Sequence, residues 1–174
     1  FFEMFSGCKK LKTVKGTDTW KVQNATDFSS MFYHCNSLQD MKGLEDWNVS
    51  KVTSFGSMFS GCSSLTELDL SNWVTSSATN MDYMFSHCSS LEVLRVDNFD
   101  TSNVTSWVSL FRGCKSLKTL NLNSFTRNSN LTKMDYMFYE CMKLQYLSMS
   151  NFDFSGITSF MGGFYWCVRL KMLD

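Results

Sequence analysis

The sequence of 174 residues contains no proline, although a usual proline content of about 5% would give about nine. A proline-rich linker or stalk is therefore excluded. The 16 basic residues balance the 16 acidic ones, and zero net charge argues against a nucleic-acid binder and against a polybasic membrane-surface protein. No apolar run approaches the length of about 18 residues that would favour a membrane-spanning helix. The hydrophobic content of 44% is in turn too high for a disordered chain.

Motifs that carry enzymatic or cofactor chemistry are also missing from the sequence. It has no P-loop, GxGxxG, HExxH or GxSxG motif, and its two histidines leave few candidates for a catalytic base. Neither the C-x-x-C spacing of zinc sites nor an EF-hand loop is present. We therefore expect no enzymatic activity, no metal and no cofactor.

What the sequence does contain is a single repeat, marked by seven cysteines that are spaced 26 or 27 residues apart. A phenylalanine lies three residues before each cysteine and a leucine three residues after it. Such a period is typical of tandem-repeat architectures. Residues 1–174 are thus predicted to form one array without a separate domain, in helix-strand units that start near residues 1, 28, 55, 81, 107, 134 and 160.

Two hydrophobic periods alternate within each unit. Met81, Met84, Phe85 and Cys88 follow the i, i+3, i+4, i+7 pattern, which predicts a two-turn helix with these residues on its buried face. The segment 65–70 (LTELDL) changes to a period of two, which predicts a short strand. An aromatic residue follows each such strand, and turn-forming residues lead to the next unit.

The predicted fold is α/β, because stacking these units side by side places a parallel sheet on one face and short helices on the other. A helix of two turns is marginal in water, so a single unit has negligible stability and only the array folds. We expect the repeated residues to form columns through the core, namely Cys8, Cys35, Cys62, Cys88, Cys114, Cys141 and Cys167 beside Phe32, Phe59, Phe85, Phe111 and Phe138.

The segments 65–70 (LTELDL) and 117–122 (LKTLNL) follow the LxxLxL core of leucine-rich repeats. The longer segment 58–73 (MFSGCSSLTELDLSNW) resembles the BspA-like leucine-rich-repeat surface proteins of bacteria. The resemblance implies a right-handed solenoid of about seven repeats, located at the cell surface or secreted and used in adhesion. An aromatic residue such as Trp73 replaces the usual ladder asparagine, which leaves open how the neighbouring backbone groups are satisfied.

Several residues have two interpretations. The cysteines suit zinc, disulfides or a reactive thiol, but the periodic pattern favours small hydrophobic residues in the core. His34 and His87 directly precede cysteines and are expected to face solvent. Asp97 with Asp100 is a weak calcium candidate. The Asn-x-Ser/Thr sequences are glycan acceptors in a secretory context, or by-products of repeated turns; they begin at Asn24, Asn48, Asn103 and Asn130.

The solvent-facing side of the strands is the candidate binding face. Its residues mix charges and become neutral and hydroxyl-rich toward the C-terminus, which suits a protein or glycan partner, although any repeat array needs a polar outer face. The candidate residues are Glu67, Asp69, Arg95, Asp97, Asn121, Asn123, Tyr146 and Ser148.

The sequence thus predicts a non-catalytic binding or adhesion module. Its partner would be a protein or glycan on another cell or matrix, or a neighbouring copy of the array, with no nucleic acid and no membrane insertion by this segment. The alternative is a structural spacer or self-assembling scaffold segment of a larger extracellular protein. Both ends fall inside a repeat, so we expect the chain to belong to a longer array.

Overall fold

Short parallel strands and turns make up the computed structural model, which describes residues 1–126 and 129–174. These residues contain no α-helix, and a 3₁₀ helix spans Thr17–Thr19. The strands lie one repeat apart along the chain and are β1 (Glu67–Asp69), β2 (Val93–Arg95), β3 (Thr119–Asn121), β4 (Tyr146–Ser148) and β5 (Met172–Leu173).

The predicted parallel strands are confirmed, because each pairs in register with the equivalent residues of a neighbouring unit. Leu68 of β1 lies opposite Leu94 of β2, and Leu120 of β3 lies opposite Leu147 of β4. All four leucines are buried. The strand pairing is interrupted between β2 and β3, which gives one sheet of two strands and one sheet of three. In the first two units the corresponding residues form the isolated parallel bridge Thr13–Asp40.

The predicted helices are wrong. In the segment from Met81 to Cys88 the backbone makes overlapping turns instead, in which the amide of every second residue donates to the carbonyl three residues earlier. Met84 donates to Met81 at 3.2 Å, and Cys88 donates to Phe85 at 3.2 Å. The buried side predicted by the pattern is nevertheless correct, since Met81, Met84, Phe85 and Cys88 have no exposed surface.

Left-handed backbone geometry prevents these segments from becoming helical. Each unit has two residues with φ between 53° and 78°. One lies five positions before the cysteine of the unit, and the other lies directly before that cysteine. Most of them are not glycine, although this geometry costs other residues about 1–2 kcal/mol each. They are Glu3, Ser30, Ser57, Tyr83, Ser109, Tyr136 and Gly162 at the first position, and Gly7, His34, Gly61, His87, Gly113, Glu140 and Trp166 at the second.

The strained backbone is compensated by hydrogen bonds between units. The amides of the intervening residues point out of their own unit and donate to backbone carbonyls of the next unit. Tyr83 donates to Val108 and Phe85 donates to Leu110, each at 3.0 Å. In an α-helix these amides would instead donate to carbonyls of their own unit. These hydrogen bonds between turn segments continue where the sheet is divided between β2 and β3, so they join the two units whose strands do not pair.

Two columns of stacked aromatic rings follow from this spacing. In the first, successive ring centroids lie 5.3–6.1 Å apart with planes within 11° of parallel, an offset-stacked arrangement. It comprises Phe5, Phe32, Phe59, Phe85, Phe111, Phe138 and Phe164. The second has centroids 5.7–6.4 Å apart and comprises Trp20, Trp47, Trp73, Phe99 and Phe125.

Tryptophan and threonine side chains take over the role of the missing asparagine ladder. The indole of Trp73 donates to the carbonyl of Leu44 at 2.7 Å, one unit earlier. The hydroxyl of Thr75 donates to the carbonyl of Asp100 at 2.8 Å, one unit later. Thr75 has no exposed surface. The sequence reasoning missed the threonines, because a single Thr two residues beyond an aromatic is easily taken for a turn residue.

The cysteines are hydrogen-bond donors as well as core residues. Each thiol from the second unit onward donates to the carbonyl of the phenylalanine that precedes the previous cysteine, as Cys88 does to Phe59 at 3.1 Å. The six S···O distances are 3.0–3.2 Å. Burial raises the pKa of the Cys88 thiol to about 12, so the proton it donates is retained at neutral pH.

The first and last cysteines differ from the others. Cys8 is exposed, so the expectation of a buried column does not hold there, and Cys167 is partly buried. The five between them are buried and unpaired. The column of cysteine sulfurs is therefore buried in the middle units and exposed to solvent in the first unit.

Replacing Cys88 tests the thiol ladder. Cys88→Ala removes a donor from the Phe59 carbonyl, which also accepts the Cys62 amide at 3.0 Å, and it leaves a small cavity. We expect the free energy of unfolding in urea to fall by about 1–2 kcal/mol. The matched control Cys8→Ala removes an exposed thiol and should change it by less than about 0.5 kcal/mol. Equal effects of the two variants would contradict a structural role for the buried thiol.

Gly61 tests the packing between units at a left-handed position. A Cβ there would lie 2.8 Å from Nδ1 of His34, whereas at Gly7, which has nearly the same φ, it would meet nothing within 4 Å. Gly7→Ala should therefore cost only the backbone strain of about 1–2 kcal/mol, and Gly61→Ala should cost more. Adding His34→Ala to Gly61→Ala should recover the difference in a double-mutant cycle. Additive effects would show that the imidazole and the glycine are not in contact.

Candidate binding face

The outward side chains of the strands form two rows that run across the sheets. The pairing aligns Glu67 with Val93, Thr119 with Tyr146, and Tyr146 with Met172, and all five are exposed. We call these five residues the outer row. The second row, called the turn-end row, contains Asp69, Arg95, Asn121 and Ser148 at the ends of the strands.

Asp69 in the turn-end row is occupied by internal bonds. One carboxylate oxygen accepts the Ser71 amide at 3.0 Å and the Ser71 hydroxyl at 2.7 Å. The other oxygen lies 2.9 Å from Nη1 of Arg95. The hydrogen bonds of Ser71, followed by those of Arg95, lower the pKa of the Asp69 carboxyl. Asp69 thus closes the turn after its strand and holds the next unit.

Asparagine side chains also close turns and connect units further along the chain. The side-chain oxygen Oδ1 of Asn121 accepts the backbone amide of Asn123 at 3.0 Å. Oδ1 of Asn123 accepts the hydroxyls of Ser148 at 3.0 Å and of Ser150 at 3.1 Å. Three further candidate residues, Asn121, Asn123 and Ser148, are therefore bonded within the protein. A side chain used in this way is a poor first choice for contacting a partner.

The remaining candidates are presented to solvent. Among residues 1–126 and 129–174, the side chains of Glu67, Asp97 and Tyr146 have no hydrogen bond or ion pair. Tyr146 is 44% exposed. Asp69 first, and more weakly Glu67 and Asp97, raise the pKa of Arg95. The structure thus brings an acidic patch around one arginine next to the outer row, whose apolar members are Val93, Tyr146 and Met172.

An ion pair spans the division of the sheet. Nζ of Lys118 lies 2.9 Å from Oε2 of Glu92, and both side chains are about half exposed. Lys118 lowers the pKa of the Glu92 carboxyl, first by hydrogen bonding and then by its charge. Water screens exposed pairs of this kind, so this ion pair adds little to the cohesion of the two units that it joins.

The other sequence candidates are placed apart from this face. His34 and His87 are exposed in the turns before their cysteines. No group of three or more potential metal ligands, with or without Asp97 and Asp100, occurs in the described residues. The four sequon asparagines are exposed; the Asn103 amide, for example, donates to the carbonyl of Ser76 at 2.8 Å. Over the same residues, no helix has the length and apolarity needed to cross a bilayer.

A sequence signal for the bonded residues was available. An Asp or Asn two residues before a residue whose amide it accepts recurs at Asp69–Ser71, Asn80–Asp82, Asp100–Ser102 and Asn121–Asn123. This spacing is the Asx-turn, in which the side chain mimics a backbone turn. The motif separates turn-closing residues from freely exposed ones.

Stacked units with a leucine-bearing short strand and a turn segment define a tandem-repeat protein. The family model described as "Mycoplasma protein of unknown function, DUF285" matches residues 1–117 and 93–172. The chain therefore belongs to this family.

Among solved structures, the chain is similar to a leucine-rich repeat protein from Bacteroides ovatus, with 21% identity and a TM-score of 0.44. The match covers 84% of this chain and 39% of the other, so the chain spans about two fifths of that protein's length. No curated protein matches the chain.

The two residues Asp69 and Glu67 distinguish structural from exposed positions. Asp69→Ala removes the acceptor for Ser71 and the partner of Arg95, and should lower the free energy of unfolding by about 1 kcal/mol. Glu67→Ala, on the same strand and without a bonded partner, should change it by less than about 0.5 kcal/mol. Urea titration of both variants measures the difference. A larger loss for Glu67→Ala would contradict the division into two rows.

Proposed function

We propose that the chain is a non-catalytic binding or adhesion module of a cell-surface or secreted protein of the BspA-like type. Its stacked units would form a right-handed solenoid that presents the strand side to a protein or glycan partner. The family match and the leucine-bearing strands support a repeat module. The BspA-like assignment rests on the sequence motifs, in particular the segment 58–73.

The outer row is the observation that carries the proposal. Five exposed side chains, from Glu67 to Met172, follow one another on a backbone fixed by hydrogen bonds between units. Val93, Tyr146 and Met172 are between 41% and 50% exposed. A fixed row that combines the apolar side chains of Val93, Tyr146 and Met172 with a charge at one end, Glu67, resembles the anatomy of protein interfaces, where Tyr and Met are enriched.

The thiols are compatible with an extracellular location. Oxidation and disulfide exchange require an accessible thiolate. Burial raises the pKa of Cys35 to about 11 and that of Cys88 to about 12. Both thiols are therefore protonated and shielded, which supports stable unpaired cysteines at the buried positions, though not at the exposed Cys8.

The partner class follows from charge. The strand side carries Glu67, Asp69 and Asp97 around a single arginine, Arg95, which disfavours the phosphate backbone of a nucleic acid. The proposal assigns no catalytic step and no cofactor to the chain. A protein or glycan ligand remains, or a second copy of the array if the chain is a self-assembling scaffold or spacer.

A binding experiment separates these functions. The fluorescently labelled chain is titrated onto a glycan array and onto immobilised extracellular-matrix proteins, in parallel with a Glu67→Ala/Tyr146→Ala variant. Saturable binding of the original chain, weakened at least tenfold by the variant, is expected, since central aromatic residues dominate interface energies. Val74→Ser is the matched control, because Val74 is 53% exposed in the loop after the strand.

The outcomes divide cleanly. Equal weakening by Val74→Ser, or no effect of the double variant on binding, would overturn the use of the outer row. Absence of binding together with concentration-dependent self-association in sedimentation would overturn the adhesion function in favour of the scaffold.

A further inference from the structure

A groove opens among the turns that precede the cysteines, away from the strand rows. It encloses about 330 Å³, near the lower limit for small-molecule sites. We call it the serine groove; its main residues are Tyr33, Ser60, Tyr83, Ser86, His87 and Arg112.

The groove exists because the repeat changes residue size at one position. The residue two before the cysteine is Tyr33, Ser60, Ser86 and Arg112 in four successive units. Ser60 and Ser86 are 7% and 2% exposed and line the groove together with the two large side chains. With strand spacing of about 4.8 Å, three unit steps separate the outer residues by about 14 Å.

Arg112 brings a fixed charge to the groove. Its guanidinium carbon lies 4.9 Å from the centre of the Tyr139 ring and 5.6 Å from that of Tyr136. Such cation–π contacts hold the group in place but satisfy none of its N–H donors. The buried Nε of Arg112 has no hydrogen-bond partner among residues 1–126 and 129–174. A buried donor left unsatisfied costs about 1–3 kcal/mol.

Arg112 takes no part in the ion pair that forms beside it. The adjacent Lys115 pairs with Glu140 at 3.1 Å, whereas Arg112 has no ion pair in the described chain. Partial desolvation of the imidazole, followed by the charge of Arg112, lowers the pKa of His87. The His87 imidazole therefore tends to stay neutral, whereas Arg112 brings a permanent positive charge to the lining of the groove.

We infer that the serine groove binds a sugar acid, with its carboxylate on Arg112 and its ring against Tyr83 of the neighbouring unit. One guanidinium matches one carboxylate. The ring of Tyr83 is 42% exposed and offers an apolar face to the C–H groups of a sugar, while Ser60 and Ser86 offer hydroxyls to its polar edge. This inference goes beyond the proposed adhesion function, since it concerns another surface and requires no macromolecular partner.

A titration followed by NMR tests the groove. The chain is titrated separately with glucuronic acid, galacturonic acid and N-acetylneuraminic acid, and with glucose, acetate and inorganic phosphate as controls. At least one sugar acid should bind tenfold or more tightly than glucose, acetate and phosphate, with shifts at Ser60 and Ser86. Arg112→Gln should weaken that binding at least tenfold, whereas Arg95→Gln, which removes an arginine from the strand side, should leave it unchanged.

A second variant guards against a folding defect. Tyr83→Ala removes a partly exposed ring and leaves Arg112 in place, so it should weaken the binding of the sugar acid at least threefold at an unchanged melting temperature. If Arg112→Gln unfolds the protein, Tyr83→Ala decides the question. Absence of binding by every sugar acid, equal binding of acetate or phosphate, or an equal effect of Arg95→Gln overturns the inference. None of these results depends on whether the outer row binds a partner.

Discussion

The structure depends on hydrogen bonds that leave one repeat unit and end in the next. In each turn segment, alternate amides such as those of Tyr83 and Phe85 donate to carbonyls about one repeat ahead. These bonds set the distance between units, and the distance sets what can be stacked. Aromatic rings with centroids 5.3–6.4 Å apart fit that spacing when they are slightly offset. The lack of proline is consistent with this constraint, because proline has no amide hydrogen to donate.

The side chains of the core extend the same ladder. The thiol of Cys88, the indole of Trp73 and the hydroxyl of Thr75 each donate to a backbone carbonyl of an adjacent unit. Alanine or valine in place of the cysteines would fill comparable space, but each phenylalanine carbonyl that accepts a thiol, such as that of Phe59, would lose one donor. The recurrence of cysteine is thus explained by a residue that packs as a small hydrophobe and donates a weak hydrogen bond.

The sequence predicted the repeat length, the buried positions and the parallel strands, but not the backbone between them. Four apolar residues over eight positions fit one face of a helix, and they fit overlapping turns equally well. Residue preference offers no correction, because Tyr83 and Tyr136 adopt left-handed geometry that tyrosine disfavours. Only the bonds between units stabilise it, and these are not visible in one unit's sequence. Within the candidate face, the Asx-turn spacing assigns Asp69 and Asn121 to turn closure and leaves Glu67 and Tyr146 exposed to solvent; the use of this face in binding stays a prediction.

Both proposed binding surfaces lie where the side chains depart from the repeat. Wherever successive units carry the same residue, as at the cysteines, the stack is satisfied internally. The serine groove arises because two units have serine where their neighbours have Tyr33 and Arg112, and the acidic patch arises because Glu67 and Asp97 surround Arg95. A constant backbone with variable side chains at a few rows would allow binding properties to change without disturbing the hydrogen bonds between units. The two proposed surfaces use different rows, so a change in one would leave the other intact.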